Sequence, residues 1–385
     1  MKPVRSALLT GAFAELKGRG ARSNRDSRFA DATHELDPEY LEQSRTAERG
    51  ELPPVAAEPD PDDAPPAAAA IKTCVTHERA RTIISRNQSP DIPFDRSVNP
   101  YRGCEHGCVY CYARPTHSYL GLSPGLDFET RLFAKQNAAE LLERELRRPG
   151  YTPAMLALGA NTDPYQPIEK DLRITRSVLE VLAAFGHPVA ITTKSALVLR
   201  DLDLLGPMAQ QGLVRVLISI GTLDRTIART LEPRASTPAR RLEAIRTLAQ
   251  AGIPAGVIVA PVIPALTEQD MEAVLEAAAA AGARHASYVS LRLPLEVRDL
   301  FLEWLREFAP LRAAHVMSRV RQMRGGRDNQ SEFGTRMEGT GIFATLLRQR
   351  FALACRKWQL ERDYPPLDCS RFRVPQSPGP QQLLF

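Results

Sequence analysis

The stretch Asn99-Pro-Tyr-Arg-Gly-Cys-Glu-His-Gly-Cys-Val-Tyr-Cys-Tyr112 places three cysteines within eight residues. Cys104, Cys108 and Cys111 follow a C-x3-C-x2-C spacing in a predicted loop after the first strand of the core. Three thiolates at these offsets can reach three irons of one 4Fe-4S cubane, whereas structural zinc sites and electron-transfer clusters normally have four protein ligands. One iron is left without a cysteine, and an open coordination site on a metal is where a substrate or co-substrate binds. The spacing therefore predicts an iron–sulfur cluster with one accessible iron.

A zinc site is the main alternative for these three thiols. His106 or His117 would then act as the fourth ligand and close the site. A redox-only iron–sulfur protein is the second alternative. Gly103 and Gly107 agree with a catalytic cluster, since a loop that wraps tightly round one needs a permissive backbone. The other cysteines stand alone in the sequence and are interpreted as ordinary thiols: Cys74, Cys355 and Cys369.

The composition is that of a globular enzyme with extensions. The chain has 385 residues, of which 43% are hydrophobic, and can bury a large core. A formal net charge of +5 permits a polyanionic partner without requiring one. Charges or prolines interrupt every apolar run well before the roughly 20 residues that a membrane helix needs, and the N-terminus lacks an apolar signal-peptide core. The sequence therefore predicts a cytoplasmic protein with no membrane partner.

The chain divides into four predicted parts. Residues 1–70 form a disordered extension that is basic first and then acidic and rich in Pro and Ala. Residues 71–96 lead into a core of residues 97–310, and residues 311–385 form a helical C-terminal extension whose last ~15 residues are disordered. Within the first part, Lys17–Arg28 carries five cations in twelve residues, as a nucleic-acid-touching arm or a solvated tail would. The last part contains an arginine series that we interpret as a lid or a substrate-facing surface: Arg319, Arg321, Arg324 and Arg327.

The core alternates strand patterns with helix patterns. Six short apolar runs are predicted strands: the stretch ending at Asn99, Met155–Gly159, Pro188–Thr193, Val214–Ile220, Ala255–Ala260 and Ala286–Leu291. Six amphipathic segments are predicted helices: Gln136–Arg148, Thr175–Phe185, Ala196–Gln211, Pro238–Ala251, Glu268–Ala281 and Leu295–Phe308. Strands separated by helices cross over in the same hand and form a parallel sheet. The predicted fold class is α/β, a partial (β/α)6 TIM-like barrel whose functional groups lie at the C-terminal ends of its strands.

The cysteine motif and the strand pattern after it resemble the radical S-adenosylmethionine superfamily. The family's C-x3-C-x-aromatic-C motif is matched by Cys104, Cys108, Tyr110 and Cys111, and the resemblance spans about residues 95–310. It implies two cofactors, a 4Fe-4S cluster and S-adenosylmethionine, whose amino and carboxylate groups chelate the free iron. It also implies an external one-electron reductant of the flavodoxin or ferredoxin type. The expected reaction yields methionine and a 5'-deoxyadenosyl radical that abstracts a hydrogen atom from a substrate.

The resemblance also nominates side chains for binding S-adenosylmethionine. Asn161, Thr162 and Asp163 follow the second strand, where the superfamily binds the amino group, although Asp-Pro-Tyr-Gln-Pro is also good turn chemistry. Lys194 and Ser219 match cofactor-contacting residues at strand ends of the related spore photoproduct lyases; otherwise they are a surface lysine and a strand-end cap. The full predicted set is Tyr110, Asn161, Thr162, Asp163, Lys194, Ser219 and Glu232, the last as a candidate for the ribose hydroxyls. These are predicted cofactor-binding residues, and no catalytic residue is assigned.

The order of the motifs resembles the branch related to spore photoproduct lyase, often called DNA repair photolyase-like, and in particular a bacterial group within it. True spore photoproduct lyases carry a hydrogen-donating cysteine near the end of the second strand, where this chain has Ala160-Asn161. Reversal of a photoproduct is therefore not expected. Two function classes stay open, a radical enzyme acting on DNA or RNA and one modifying a protein or small molecule. A non-catalytic metal-binding module is a distant third, and it predicts no cleavage of S-adenosylmethionine.

Overall fold

The computed structural model describes residues 18–29 and 71–376. These residues contain the strands β1 (Cys74–Glu78), β2 (Ile84–Arg86), β3 (Arg96–Val98), β4 (Tyr101–Arg102), β5 (Arg131–Lys135), β6 (Leu156–Leu158), β7 (Val189–Thr193), β8 (Val214–Ser219), β9 (Ala255–Val262) and β10 (His285–Ser290). The main sheet has the order β2-β3-β6-β7-β8-β9-β10, and a second sheet has the order β1-β5-β4. In the main sheet β2 is antiparallel to β3, and every other neighbouring pair is parallel.

The parallel strands β3 and β6 to β10 confirm the predicted barrel core. They lie side by side in sequence order, so each strand after β3 is reached by a crossover. Their side chains are largely buried, which explains why they are near-continuous apolar runs and do not alternate with polar residues. The sheet order ends at β2 on one side and at β10 on the other, and these two edge strands do not pair. The barrel is therefore partial, as expected.

The second sheet was not predicted. β1 pairs parallel with β5, and β4 pairs antiparallel with β5, so the sheet lies beside the cysteine loop that follows β4. The lead-in segment, 71–96, thus contains β1 and β2. These strands are short and partly exposed, so they lack the apolar runs from which the other strands were inferred.

The helices fill the crossovers and the C-terminal part. They are α1 (Asp127–Thr130), α2 (Ala138–Leu146), α3 (Glu169–Leu172), α4 (Ile174–Ala184), α5 (Leu202–Gln210), α6 (Arg225–Leu231), α7 (Pro238–Gln250), α8 (Met271–Ala280), α9 (Val297–Phe308), α10 (Pro310–Met323) and α11 (Gly341–Lys357). The six predicted helices correspond to α2, α4, α5, α7, α8 and α9. The segment predicted at 196–211 begins as a 3-10 helix, Ala196–Asp201, and the hydroxyl of Ser195 caps its start. No helix in the described part of the chain is long and apolar enough to cross a membrane.

Residues 18–29 differ from the predicted disordered, nucleic-acid-touching extension. Their arginines pair with acidic residues on or just before α9: Arg22 with Glu307, Arg25 with Asp299 and Glu303, and Arg28 with Glu296. Arg19 is buried and donates to the carbonyl oxygen of Glu129 at 3.0 Å. The prediction is corrected for these residues because their charges are neutralised within the fold. The rest of the predicted extension lies outside the described residues.

The C-terminal extension is helical, as expected, but two of its predicted features need correction. Arg324 is buried and donates to the carbonyl oxygens of Leu291 and Arg336 at 2.7 and 2.8 Å, so it supports the backbone and does not face a substrate. Residues 371–376 were predicted to be disordered, yet Phe372 packs against Phe185 with ring centroids 6.1 Å apart. The remaining residues of that predicted tail are not described.

Candidate active site

The cysteine loop lies between β4 and α1 and is built on tight backbone contacts. The amide of Cys104 donates to the carbonyl oxygen of Phe128 at 2.9 Å, and the amide of Cys111 donates to that of Cys108 at 3.2 Å. Gly103 and Gly107 have φ values of +74° and +70°, which side chains rarely adopt. A Cβ at Gly107 would also come within 2.8 Å of the Glu129 carboxylate. The loop therefore requires both glycines, as its sequence indicated.

The three thiols of the loop are free and close to one another. Cys104 and Cys108 are buried, and Cys111 is partly buried. Burial raises the pKa of the Cys104 thiol well above its usual value, and Asp163, Cys108 and Cys111 raise it further. Burial likewise raises the pKa of Cys108 to about 12, with a further contribution from Glu232. Such thiols are poor nucleophiles by themselves but become thiolates when a metal binds them, so the donor set fits an iron–sulfur cluster.

A network of buried polar side chains supports this loop, and the sequence analysis did not identify it. Arg114 and Glu129 form a fully buried ion pair. Arg114 also donates to the carbonyl oxygen of Cys108 at 2.8 Å, and Glu129 accepts from the amides of Gly20 and Ala21. On the other side of the loop, the amide side chain of Gln166 bonds the backbone of Glu105 and Gly103. The available signal was Arg114 itself, a charged residue three positions after the last cysteine.

The two histidines of the zinc alternative have other partners. Nδ1 of His106 lies 3.3 Å from Oδ2 of Asp163, and Nε2 of His117 lies 2.9 Å from the carbonyl oxygen of Arg131. In the described residues, no three side chains of His, Cys, Asp or Glu converge where one ion could bind them all. In a cubane each thiolate binds a different iron, so a cluster does not need such convergence. Neither histidine is therefore oriented toward the three thiols without another partner.

A cavity of about 900 Å³ opens at the C-terminal ends of the parallel strands. Four of the predicted cofactor-binding residues line it: Tyr110, Asn161, Lys194 and Ser219. Nζ of Lys194 lies 6.0 Å from the centroid of the Tyr110 ring, so a cation from β7 faces the cysteine motif. The volume of the cavity is within the usual range of ligand pockets. Its position, at the C-terminal ends of the strands, is where active sites of such barrels lie.

The other three predicted cofactor-binding residues are not part of the cavity wall. Thr162 is buried and donates to the carbonyl oxygen of Tyr101 at 3.1 Å. Asp163 accepts from the hydroxyl of Thr193 at 2.6 Å and from the amide of Lys194 at 2.8 Å. Asp163 and Thr162 therefore link the end of β6 to its neighbours.

Glu232 lies beneath the wall. Its carboxylate accepts a hydrogen bond from the Tyr110 hydroxyl and pairs with Arg241. Only about 6% of the residue is exposed, and each of its carboxylate oxygens accepts from a protein donor. The structure thus places Glu232 next to the cysteine motif, but in a structural ion pair.

The wall of the cavity is cationic and aromatic. Its charged residues within the described part of the chain are six cations and no carboxylate: Arg86, Arg102, Lys135, Lys194, Arg292 and Arg336. Four tyrosines also line it: Tyr101, Tyr110, Tyr112 and Tyr119. Sequence reasoning missed most of these residues, because they come from strands and loops that are far apart in the chain. A wall of this kind suits an anionic ligand with flat rings.

Tyr112 contacts Ala160, one of the two residues that stand where true spore photoproduct lyases were expected to carry a cysteine. Its hydroxyl donates to the Ala160 carbonyl oxygen at the end of β6. The isolated cysteines, Cys74, Cys355 and Cys369, are not among the residues that line the cavity. Cys104, Cys108 and Cys111 are not among them either; the loop reaches the wall through Tyr110 and Tyr112.

Comparisons with known proteins identify a family and several uncharacterized relatives. The family model described as the Radical SAM superfamily matches residues 98–278. An uncharacterized protein of Mycobacterium tuberculosis is 38% identical over 279 residues, which are 71% of this chain and 78% of that protein. An uncharacterized protein of Methanocaldococcus jannaschii is 28% identical over 171 residues, which are 44% of this chain and 61% of that protein.

Among solved structures, the fold is similar to that of spore photoproduct lyase. A mutant of that lyase with bound AdoMet and dinucleoside spore photoproduct matches with a TM-score of 0.54 and 16% identity, over 75% of this chain and 82% of the lyase chain. A second lyase mutant matches with a TM-score of 0.53 and 17% identity over the same shares. At this identity the likeness establishes the fold alone.

Proposed function

Because the chain belongs to the radical SAM superfamily, we propose that it is an enzyme that binds a 4Fe-4S cluster through Cys104, Cys108 and Cys111. The observation that carries the proposal is that these three free thiols lie in one loop, next to a cavity at the C-terminal ends of the barrel strands. When bound together, the reduced cluster and S-adenosylmethionine supply a one-electron cleavage to methionine and a 5'-deoxyadenosyl radical, which takes a hydrogen atom from the substrate. An external reductant of the flavodoxin or ferredoxin type provides the electron.

The chain's own residues bind and orient S-adenosylmethionine. Lys194, at the end of β7, offers a cation for its carboxylate, and the side chains of Asn161 and Ser219 offer polar contacts at neighbouring strand ends. Tyr110 contributes an aromatic wall beside the cysteine motif. The cavity volume of about 900 Å³ leaves space for a second ligand beside S-adenosylmethionine.

For the substrate, we propose a nucleic acid, DNA or RNA. The support is the charge of the cavity wall, where the described residues provide cations and no carboxylate. Phosphates bind to such cations, and tyrosine rings stack on bases irrespective of sequence. Because the cavity is inside the barrel, a nucleotide would leave its duplex or come from a single strand to enter it. The arginines of residues 18–29 are not part of this proposal, since acidic residues neutralise them.

The test of the enzyme proposal is anaerobic reconstitution with iron and sulfide, followed by reduction with dithionite in the presence of S-adenosylmethionine. We expect 5'-deoxyadenosine from the natural chain and none above background from Cys108→Ala. Cys74→Ala is the matched control, because that exposed thiol lies outside the loop, and it should produce 5'-deoxyadenosine like the natural chain. Protein that carries zinc in place of iron, or that yields no 5'-deoxyadenosine, would contradict the proposal.

The substrate class is tested by adding oligonucleotides deuterated in sugar and base to the same reaction. Deuterium that appears in 5'-deoxyadenosine identifies nucleic acid as the hydrogen source. If deuterium transfers from neither DNA nor RNA while 5'-deoxyadenosine still forms, the chain modifies a protein or small molecule instead.

A further inference from the structure

We propose that Arg292 and Arg336 form an anion-binding pair in the cavity wall that holds a phosphodiester group of the substrate. The choice of a phosphodiester rests on the proposed nucleic-acid function. The pair itself is inferred from the position of both side chains in the cavity wall and from the contact of Arg292 with Met337, which directly follows Arg336 in the chain.

One guanidinium donor of Arg292 has no acceptor in the described part of the chain. Arg292 follows β10 closely, at the C-terminal edge of the sheet, and its side chain lines the cavity. Its Nε atom is buried, and none of the residues that the structure describes accepts a hydrogen bond from it. Its Nη1 atom lies 3.6 Å from the sulfur of Met337, which is a weak acceptor. A buried guanidinium donor without an acceptor destabilises the folded state unless a ligand accepts a hydrogen bond from it.

Arg336 enters the same wall from the loop between α10 and α11. Its Nε atom lies 2.5 Å from Oδ2 of Asp91, and its Nη2 atom lies 2.5 Å from the hydroxyl of Ser89. Its guanidinium carbon lies 4.5 Å from the centroid of the Phe333 ring. These contacts hold the side chain in place from one side. The loop thus brings a preoriented second guanidinium to the cavity.

The two guanidinium groups repel each other. Burial lowers the pKa of Arg292, and the charge of Arg336 lowers it further, while Tyr112 and Asp91 offset part of the effect. One carboxylate, Asp91, therefore accompanies two cations. A phosphodiester has one negative charge and two non-bridging oxygens. These oxygens can accept hydrogen bonds from both guanidinium groups, and the negative charge reduces the repulsion between them.

The pair is close to the cysteine loop. The guanidinium carbon of Arg292 lies 5.7 Å from the centroid of the Tyr112 ring, and Tyr112 directly follows Cys111 in the chain. A phosphate held by Arg292 would thus be separated from the loop by one aromatic ring. The sugar or base attached to that phosphate would lie in the cavity, where Tyr112 can stack on it.

The test measures binding of fluorescein-labelled single strands of about ten nucleotides, oligothymidine for DNA and oligouridine for RNA, by fluorescence anisotropy. The protein is the full chain, reconstituted anaerobically. We expect Arg292→Gln and Arg336→Gln each to weaken binding about tenfold and to lower the salt dependence by about one ion. Arg292→Lys should lose less affinity, because it keeps the charge but not the fork. The DNA and RNA arms show which strand is preferred.

Arg246→Gln is the matched control, since it removes the same charge from an exposed position on α7, where Arg246 pairs with Glu243. It should bind like the natural chain. Affinity for S-adenosylmethionine and formation of 5'-deoxyadenosine without substrate should also be unchanged in Arg246→Gln.

Three results would overturn the pair. The first is that the natural chain binds neither DNA nor RNA strands. The second is that the Arg292 and Arg336 variants bind oligonucleotides as tightly as Arg246→Gln does. The third is that Arg292→Gln weakens binding of S-adenosylmethionine and not of oligonucleotides. Failure of the proposed enzyme function is distinguishable, because it appears as absent 5'-deoxyadenosine in the natural chain, whatever the oligonucleotide affinities are.

Discussion

At the scale of single residues, the surroundings of Glu232 determine what it does. Burial acts to raise the pKa of its carboxyl group, but Arg241, Lys194 and Tyr110 outweigh that effect and hold the pKa below its usual value. The carboxylate therefore stays charged and is saturated by protein donors. It connects Tyr110 of the cysteine motif to Arg241 on α7, and this ion pair is buried on both sides.

Glu232→Gln should lower the free energy of unfolding by about 3 kcal/mol, because it leaves Arg241 buried without a charged partner. The dissociation constant of S-adenosylmethionine should stay the same. Urea unfolding measures the first quantity and equilibrium dialysis the second. Glu243→Gln breaks an exposed pair with Arg246 and serves as the control, with an expected cost below about 1 kcal/mol. Unchanged stability together with weaker S-adenosylmethionine binding would restore the ribose-binding interpretation.

At the scale of elements, the corner between α4 and β7 depends on a neutral histidine. His187 is fully buried; its Nδ1 lies 3.0 Å from the carbonyl oxygen of Pro188, and its Nε2 lies 2.8 Å from the Tyr151 hydroxyl. The Phe372 ring packs against it at 5.6 Å, so the C-terminal segment closes over this corner. The pKa of His187 is lowered to about 4, mainly by burial and partly by the charge of Arg96, while the hydrogen bond to Pro188 acts to raise it.

This histidine should make stability depend on pH. Its folded pKa is below the unfolded value of about 6.5, so the unfolded chain binds the proton first as the pH falls. Between about pH 6.5 and pH 4 the natural chain should lose about 3 kcal/mol that a His187→Gln variant does not lose. Urea unfolding of both proteins at a series of pH values measures the difference. Parallel pH profiles would show that His187 does not titrate in this way.

At the scale of the whole molecule, residues 18–29 hold the cysteine loop to α9. Gly20 and Ala21 donate their amides to Glu129, while the arginines that follow pair with the acidic face of α9. A Cβ at Gly20 would come 1.7 Å from the carbonyl oxygen of Gly107, so the two backbones are in direct contact. A segment remote in sequence thus covers the loop between Cys104 and Cys108.

Deleting residues 1–29 should therefore cost about 3 kcal/mol of unfolding free energy, since Glu129 loses two charge-assisted hydrogen bonds. The absorbance of the reconstituted cluster should also decay faster in air than it does in the full chain. A variant with Arg22, Arg25 and Arg28 all changed to Gln keeps both amides, and we expect it to lose less stability. If the deletion instead weakens oligonucleotide binding and leaves stability unchanged, residues 18–29 act as a nucleic-acid arm.

The sequence was sufficient for the features that contiguous residues encode. The three-cysteine spacing, the two loop glycines and the six parallel strands with their helices follow from local spacing and periodicity. It was less informative for β1, β2, β4 and β5, because short and partly exposed strands have no distinctive pattern. It was also insufficient for Thr162, Asp163 and Glu232, whose residue types fit ligand binding as well as internal hydrogen bonding.

The sequence alone determined that this protein is a partial α/β barrel with three cysteines in its first strand-to-helix loop. Only the tertiary structure decided which side chains face the cavity, that its charged wall is cationic, and that Arg292 and Arg336 both line it. The physical reason is that spacing along the chain is a local property, whereas the neighbours of a buried charge depend on strand register and on packing between distant segments.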